Sequence, residues 1–356
     1  MLSRILRQVF LGGSRKPVDV FVDEGNVLAA AGDHAGALVR YERAITLDPE
    51  SAVAHNNRSL SLHALGRMPE AWAESEWRFL LQDKTRRFVS APPVRRWDGH
   101  PFAGSLIVLW EQGLGDMLQH LRFLPLAAGR VGKLAMLCPP ALADLVCYSF
   151  PDTEMIEARR GVTPDWRRFD ACVPLLSLPY LLGLTVESLP AQPYLDAPRE
   201  NPRRVPREGG FHVGIVWRSS AYEQRRDCSL AAMLALAQSG ARLVSLQHRL
   251  TADEQDLLER AGVEQRAGET LLQTASEAMQ LDAVVSVDTS VLHLAAALGR
   301  PTIGLLNEPY AVRWTMRGGG SPWYPTLRLV RKRGPESWAG PVAEATLALR
   351  EIFEGT

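Results

Sequence analysis

Short β-branched runs alternate with helical stretches over most of the chain after residue 104. The strand candidates are 105–110, 133–138, 169–174, 211–217, 242–247, 281–287, 301–306 and 326–331. This alternation is typical of βαβ units and parallel sheets. A proline- and arginine-rich stretch at 198–210 interrupts it and predicts a hinge between two sheets. We therefore expect an α/β fold with two Rossmann-like domains, over 86–208 and 209–335, and a last helix within 336–356 that crosses back onto the first sheet.

The first 85 residues carry an internal repeat of a different kind. A spacing of 34 residues pairs Leu28 with Leu62, Ala30 with Ala64, Gly32 with Gly66, Ala37 with Ala71 and Glu42 with Glu76. Small residues let two antiparallel helices approach closely, and a glycine supplies the turn between them. The first copy, with Ala37 followed four residues later by Tyr41, resembles a tetratricopeptide repeat, whereas the second has Ser75 in place of the aromatic residue. We predict α-helical tetratricopeptide-repeat helices over 18–85, with an ordinary helical hairpin as the alternative.

The charge balance argues against a nucleic-acid-binding protein. Lys and Arg together number 40, Asp and Glu together also number 40, and the formal net charge is zero. Nucleic-acid-binding domains usually carry a basic excess, so we expect no nucleic-acid partner.

Residues 1–17 form a separate amphipathic segment. Its apolar residues fall on one helical face with arginine and lysine residues around it, a pattern typical of helices that lie on anionic membrane surfaces. The segment has neither a continuous apolar run nor a small-residue cleavage site, so it does not resemble a signal peptide. We predict a cytoplasmic protein and leave two alternatives for this segment: a packed helix, or peripheral contact with the inner membrane.

The first candidate site follows the first predicted strand. Ligands of parallel α/β sheets bind beyond the carboxyl ends of the strands. Here the chain reads Gln112, Gly113, Leu114 and Gly115, and the two glycines permit a tight turn and close approach of a ligand. Asp116 comes next, and we predict that it opens a helix over 117–128. The alternative role for its carboxylate is that of a helix N-cap.

A second candidate site follows the strand 281–287. Asp288, Thr289 and Ser290 are three potential capping residues in succession. The free N–H groups and the dipole of a helix N-terminus favour a phosphate. His293 lies one turn further along the predicted helix, on a face that can reach the same ligand. We predict an anion site, and the alternative is a capped helix with a packed histidine.

A basic cluster follows the strand 211–217 and includes Arg218 and Arg226. The chain has no Asp-x-Asp pair, so we expect neither a metal-bridged diphosphate nor a metal cofactor. Arginine and a helix N-terminus would carry the negative charge of a diphosphate instead. A solvated loop with surface arginines is the alternative.

Two adjacent aromatic residues, Trp323 and Tyr324, lie between prolines. Their rings suit stacking on a flat ligand ring. Packing in the core beside the strand 326–331 is the alternative, and the sequence does not decide between the two.

Together these motifs resemble bacterial tetratricopeptide-repeat proteins with a heptosyltransferase-like (family nine) glycosyltransferase region. The resemblance rests on EQGLGDMLQHLRFLPL (111–126), VVSVDTSVLHLAAALGRP (284–301) and SPWYPTLRLVRK (321–332), with support from VGIVWRS (213–219), SLQ (245–247) and PLLSLP (174–179). A more distant likeness is to the O-GlcNAc transferases. The resemblance implies a GT-B fold, with an acceptor domain over 86–208 and a nucleotide-sugar domain over 209–335.

The resemblance also implies roles by position. Asp116 matches the position of the family's catalytic base. The donor-binding positions are Arg218, Arg226, Gln247, Asp288, Thr289, Ser290 and His293, and those on the acceptor side or in the cleft are Gln112, Gly113, Gly115, Trp323 and Tyr324. This sequence departs from the family pattern after Arg226, where Asp227 replaces a serine, and at Ala311-Val312, where Asp-Trp is usual.

The predicted activity is transfer of a sugar from a nucleotide-diphosphate donor to an acceptor hydroxyl, with inversion and without a metal. The acceptor would be a saccharide or a protein, and the repeats would hold it or a partner protein. Two alternatives stay open. One is a catalytically weak GT-B protein with the repeats as a binding scaffold. The other is a sugar-nucleotide epimerase, which shares the two-domain layout but does not explain the repeats.

Overall fold

The computed structural model describes residues 16–81, 92–159, 163–199, 210–219, 224–308, 311–314, 320–334 and 336–355. The chain divides into two compact units, Met1–Asp83 with Ala311–Met316, and Lys84–Tyr310 with Arg317–Thr356. Nearly all of the predicted amphipathic segment 1–17 and most of the predicted hinge 198–210 lie outside the described residues. Among those described, no helix has the length and apolar character needed to cross a membrane.

The first unit is built from consecutive helices that pack on one another. They are α1 (Pro17–Ala30), α2 (His34–Leu47), α3 (Ala52–Ala64) and α4 (Met68–Ser75), followed by a 3-10 helix, Glu76–Leu80. Gly32 and Gly66 follow α1 and α3 with φ angles of 84° and 75°, where a glycine avoids the strain of a side chain. The predicted repeat helices and their turn glycines are confirmed.

Small residues let the repeat helices approach closely, as the sequence indicates. A Cβ atom at Gly25 of α1 would lie 2.4 Å from Cε1 of Tyr41 in α2, so the ring packs directly on the backbone of the neighbouring helix. The Tyr41 hydroxyl donates to Oδ1 of Asn26 at 2.9 Å, and burial raises the pKa of Tyr41 to about 12. The aromatic position of the first repeat is thus an interior packing position.

A segment distant in sequence also belongs to the first unit. Residues 311–316 were predicted within the second Rossmann-like domain, yet they cluster with the repeat helices. Their 3-10 turn, Val312–Trp314, contacts α3 and buries Trp314. Burial and, to a smaller extent, the charge of Arg313 lower the pKa of His63 in α3 to about 4. The repeat unit is therefore completed by residues that local sequence patterns do not assign to it.

The second unit begins with a five-stranded parallel sheet in the order β1-β5-β2-β3-β4. The strands are β1 (Arg95–Arg96), β2 (Phe102–Leu109), β3 (Val131–Cys138), β4 (Glu154–Glu157) and β5 (Ala171–Pro174). The helices are α5 (Leu114–His120), α6 (Leu124–Ala128), α7 (Pro140–Ser149) and α8 (Leu178–Leu181). The sequence did not predict β1 and β4, because two and four residues are too few for a recognisable apolar pattern.

A second parallel sheet of six strands follows in the order β11-β10-β9-β6-β7-β8. The strands are β6 (His212–Val216), β7 (Arg242–Ser245), β8 (Glu264–Gln265), β9 (Ala283–Val287), β10 (Thr302–Asn307) and β11 (Leu327–Lys332). The helices are α9 (Leu230–Leu234), α10 (Ala252–Arg260), α11 (Leu271–Met279), α12 (Ser290–Ala297) and α13 (Ala339–Glu354). The predicted α/β fold with two parallel sheets after a helical repeat region is confirmed.

The last helix differs from its prediction. Val342, Ala345 and Leu349 of α13 belong to the buried core of the second sheet, and the Phe353 ring stacks on Phe211 at 3.9 Å between ring centroids. The prediction that this helix crosses back onto the first sheet is therefore wrong. The physical reason is its apolar face, which covers β10 and β11 directly after the chain leaves β11.

Candidate active site

The loop after β2 carries the predicted catalytic carboxylate. Gln112 has a φ of 64°, a left-handed conformation that is strained for a residue with a side chain. Gly113 is the N-cap of α5, and Asp116 lies in the first helical turn, where its Oδ2 accepts from the Gly113 N–H at 3.3 Å. Asp116 was predicted to open a helix over 117–128. It lies instead inside a helix that starts at Leu114, because Gly113 takes the capping position.

Helix α5 contacts helix α12 of the second sheet through Gly115. A Cβ atom at Gly115 would lie 2.9 Å from Cδ2 and 3.3 Å from Nε2 of His293. Any side chain at this position would push the two helices apart. The residue next to Asp116 thus packs directly on the helix of the predicted anion site, and the two Rossmann-like halves meet at this point.

The amino end of α12 is built around Thr289. Thr289 is the N-cap, and its Oγ1 accepts from the Leu292 N–H at 3.4 Å and lies 2.9 Å from Oγ of Ser286. Ser290 is the first helical residue. Of the three potential capping residues, only Thr289 therefore caps the helix. The cap fixes the direction in which the first N–H groups of α12 point.

Asp288 and Arg226 form an ion pair beside this helix terminus. Oδ2 of Asp288 lies 3.4 Å from Nη1 of Arg226, and Oδ1 lies 3.8 Å from Nε2 of His293. The Asp288 side chain is only 6% exposed, whereas that of Arg226 is 33% exposed. The structure therefore brings four predicted donor residues together, Arg226, Asp288, Thr289 and His293. In the ion pair, the Arg226 side chain is the more exposed partner.

Two other predicted donor residues, Arg218 and Gln247, make hydrogen bonds within the protein. Nη2 of Arg218 donates to Glu254 at 2.8 Å, and Nε of Arg218 donates to the same carboxylate at 3.2 Å. Oε1 of Gln247 accepts from the backbone N–H groups of Trp217 and Arg218 at 3.2 and 2.9 Å. These contacts tie the ends of β6 and β7 to α10. A role of Arg218 or Gln247 in donor binding stays a prediction.

The Glu254 carboxylate makes the stabilisation from these contacts depend on pH. Burial acts to raise the pKa of Glu254, but hydrogen bonds from Thr251, Arg218 and Trp217, together with the charge of Arg218, hold it below its usual value. A depressed carboxyl pKa stabilises the fold above the ordinary glutamate value of about 4.3, and that stabilisation is lost as the pH falls through the folded-state pKa.

We expect Glu254→Gln to lower the free energy of unfolding by about 1.5–3 kcal/mol at neutral pH, the usual contribution of a hydrogen bond to a charged group. The deficit relative to wild type should shrink below about pH 4. Urea denaturation followed by circular dichroism from pH 3 to 8 measures it. Glu259→Gln, at an exposed position of the same helix, is the matched control. A pH-independent deficit would show that the charge of Glu254 is not the cause.

The two aromatic residues are interior packing residues. Trp323 and Tyr324 are 2% and 1% exposed, and the Tyr324 hydroxyl lies 2.9 Å from Nδ1 of His293. Core packing, the alternative to ligand stacking, is therefore what the structure shows.

Sequence reasoning missed Arg122, a buried arginine whose Nη1 donates to the Trp323 carbonyl oxygen. The one available signal was a lone arginine in the apolar run LRFLPL. The sequence also gave no role to Glu111, which is buried and accepts from the Leu176 N–H at 2.9 Å.

Within the described part of the chain, no group of three or more His, Cys, Asp or Glu side chains is arranged to hold a metal ion.

Family comparisons match both parts of the chain. Residues 233–335 match the model of glycosyltransferase family 9 (heptosyltransferase), and residues 25–66 match the model of the TPR repeat. Residues 233–335 are therefore similar to family 9 glycosyltransferases. The matched region includes Asp288, Thr289 and His293, whereas Asp116 and Arg226 lie outside it. Together with the fold, the match supports a glycosyltransferase.

Individual relatives are similar to this chain over most of its length. Protein FlbA of Caulobacter vibrioides is 25% identical over 96% of this chain and 68% of its own length. A family 9 glycosyl transferase from Veillonella parvula shares 10% identity over 73% of this chain and 99% of its own, with a TM-score of 0.53. The ADP-heptose lipopolysaccharide heptosyltransferase II of E. coli shares 16% identity over 70% and 98%, with a TM-score of 0.50. At these identities the solved structures show the fold alone.

Proposed function

We propose that this protein transfers a sugar from a nucleotide-diphosphate donor to an acceptor hydroxyl, with inversion and without a metal ion. The observation that carries the proposal is the contact between Gly115 and His293. Through this contact α5, which carries Asp116, packs against α12. The amino end of α12 is capped by Thr289 and lies beside the ion pair of Arg226 and Asp288. A carboxylate and an anion-binding helix terminus on two helices in contact are what a displacement at an anomeric carbon requires.

In the proposed reaction the donor diphosphate lies at the amino end of α12. The N–H groups of that terminus and the Arg226 guanidinium bind the diphosphate oxygens. Asp116 accepts the proton of the acceptor hydroxyl as that oxygen attacks the anomeric carbon, and the bond from the anomeric carbon to the diphosphate oxygen breaks. The charge that develops on the leaving diphosphate is stabilised by the same arginine and N–H groups.

A mass-spectrometric screen of nucleotide-diphosphate sugars tests this function. Purified full-length protein is incubated with UDP-, GDP-, ADP- and CDP-linked sugars in EDTA, and release of the nucleoside diphosphate is followed. We expect one nucleotide class to be consumed with inversion at the anomeric centre. Binding without consumption would favour the scaffold alternative, and interconversion of one sugar nucleotide into another would favour the epimerase.

The repeats are proposed to select the acceptor, or to bind a protein partner, and not to bind the donor. Val27 on α1 and Leu60 on α3 are exposed apolar residues of the repeat unit, 46% and 44% exposed. We expect Val27→Lys with Leu60→Lys to lower acceptor use while donor affinity stays unchanged, as measured by transfer kinetics and calorimetry. Equal losses of donor affinity and acceptor use would contradict this assignment.

A further inference from the structure

A buried arginine links the segments around the candidate active site. Arg122 lies in the 3-10 turn Leu121–Phe123, directly after the helix that carries Asp116, and it is 1% exposed. Nε donates to the carbonyl of Gln119, in the last turn of α5, at 2.8 Å. Nη1 donates to the carbonyls of Pro190, at 3.1 Å, and Trp323. The guanidinium thus joins the first half to two segments distant in sequence.

Aromatic rings enclose the same guanidinium. Its Cζ lies 4.5 Å from the ring centroid of Tyr194, 4.7 Å from that of Tyr324 and 5.5 Å from that of Trp323. Nη2 donates to the Tyr194 hydroxyl at 3.1 Å, and that hydroxyl donates to the Leu118 carbonyl of α5 at 2.8 Å. A buried charge is tolerated only when hydrogen bonds and rings of this kind compensate its lost hydration. The planar fork of arginine is needed to reach all these partners together.

These contacts form a closed series of interactions that includes residues of the candidate active site. From Arg122 it runs to the Trp323-Tyr324 segment, and from the Tyr324 hydroxyl to Nδ1 of His293 at 2.9 Å. From His293 it returns to Gly115, one residue before Asp116. Helix α5 therefore contacts α12 directly at Gly115, near its amino end, and Arg122, just beyond its carboxyl end, links it to α12 indirectly through the Trp323-Tyr324 segment.

We propose that Arg122 is a positioning residue that sets the separation between the Asp116 carboxylate and the donor at the amino end of α12. This inference rests on the proposed function. Arg122 itself contacts neither donor nor acceptor; it acts through Trp323, Tyr324 and His293. Because a misplacement of about 1 Å costs on the order of 10²-fold in rate, its loss lowers kcat and leaves donor affinity nearly unchanged.

The test compares Arg122→Lys with Arg130→Lys. Lysine keeps the charge at position 122 but cannot bond to the Pro190, Trp323 and Tyr194 oxygens together. Arg130 is the matched control, because its guanidinium joins the Gly99 and Leu182 carbonyls, both within the first half. Four quantities are measured: the dissociation constant of the nucleoside diphosphate by calorimetry, kcat and KM for transfer, and hydrogen exchange of 114–120 and 290–297 without substrate.

We expect Arg122→Lys to lower kcat at least about 10-fold, toward the loss that a displacement of about 1 Å produces. Its nucleotide affinity should match that of wild type, and both peptides should exchange faster. Arg130→Lys should change neither kcat nor exchange. Equal kcat and exchange in the two variants would overturn the proposal. If Arg122→Lys does not fold, Tyr324→Phe interrupts the same closed series of contacts by removing the hydrogen bond to His293. An unchanged kcat in Tyr324→Phe would also overturn the proposal.

Different experimental outcomes would contradict the proposed function and the proposed role of Arg122. A wild-type protein that neither binds a nucleoside diphosphate nor consumes any donor contradicts the proposed function. The exchange comparison needs no substrate, so it still decides whether Arg122 couples α5 to α12. Wild-type activity together with unchanged Arg122→Lys exchange and kcat contradicts the positioning role alone.

Discussion

Turnover by Asp116→Asn should fall about 10²–10⁴-fold, the usual contribution of general-base catalysis. Asparagine keeps the size of the side chain, and its carbonyl oxygen can still accept the Gly113 N–H that Oδ2 of Asp116 accepts at 3.3 Å. It cannot take up a proton at neutral pH. The thermal midpoint and the donor dissociation constant should therefore stay near the wild-type values while kcat falls.

A matched control for this variant is Asp98→Asn. Asp98 is an exposed carboxylate in the same half, and it accepts a backbone N–H from His100 at 3.0 Å. Its replacement should leave turnover unchanged. A stable Asp116→Asn protein with wild-type turnover would remove Asp116 as the base, and a variant that unfolds would assign the carboxylate a capping role.

Arg226→Gln should weaken binding of the nucleoside diphosphate about 10- to 100-fold, since a hydrogen bond to a charged group contributes about 1.5–3 kcal/mol. The change removes the cation at the amino end of α12 and leaves Asp288, only 6% exposed, without the guanidinium 3.4 Å away. An unpaired carboxylate there would also repel a diphosphate. Calorimetry with the diphosphate of the donor that the screen identifies measures the loss.

Two further variants separate the causes of this loss. Arg225→Gln changes an exposed neighbour and should leave affinity unchanged. Asp288→Asn combined with Arg226→Gln removes the stranded carboxylate as well. If the double variant regained full affinity, Arg226 would act only by neutralising Asp288, and its direct bond to the donor would be ruled out.

The sequence was sufficient for the features that depend on local patterns. Apolar runs predicted eight of the strands, and the order of glycine, capping residue and helix located the loops after β2 and β9. The contact of Gly115 with His293 follows from neither pattern, because it joins two halves of the fold. The glycine was recognised as a close-approach position, but what approaches it was visible only in three dimensions.

Partners distant in sequence were the main feature that the sequence did not predict. Arg218 and Gln247 follow β6 and β7 as predicted, and the structure adds a contact of Arg218 with Glu254, 36 residues later. Trp323 and Tyr324 are interior residues because Arg122, about 200 residues earlier, fills the space beside them. The last helix stays on its own sheet for the same kind of reason. Such pairings depend on tertiary packing, which a local pattern of residue types does not encode.

The amino end of α12, with Thr289 and Arg226, is proposed to hold a nucleoside diphosphate without a metal. Calorimetric titration of the full-length protein with ADP, GDP, UDP and CDP, each in EDTA, tests it most directly. We predict saturable binding of at least one of them, weakened in Thr289→Ala with Ser290→Ala. Binding of none of the four, or binding only after a divalent cation is added, would contradict the claim.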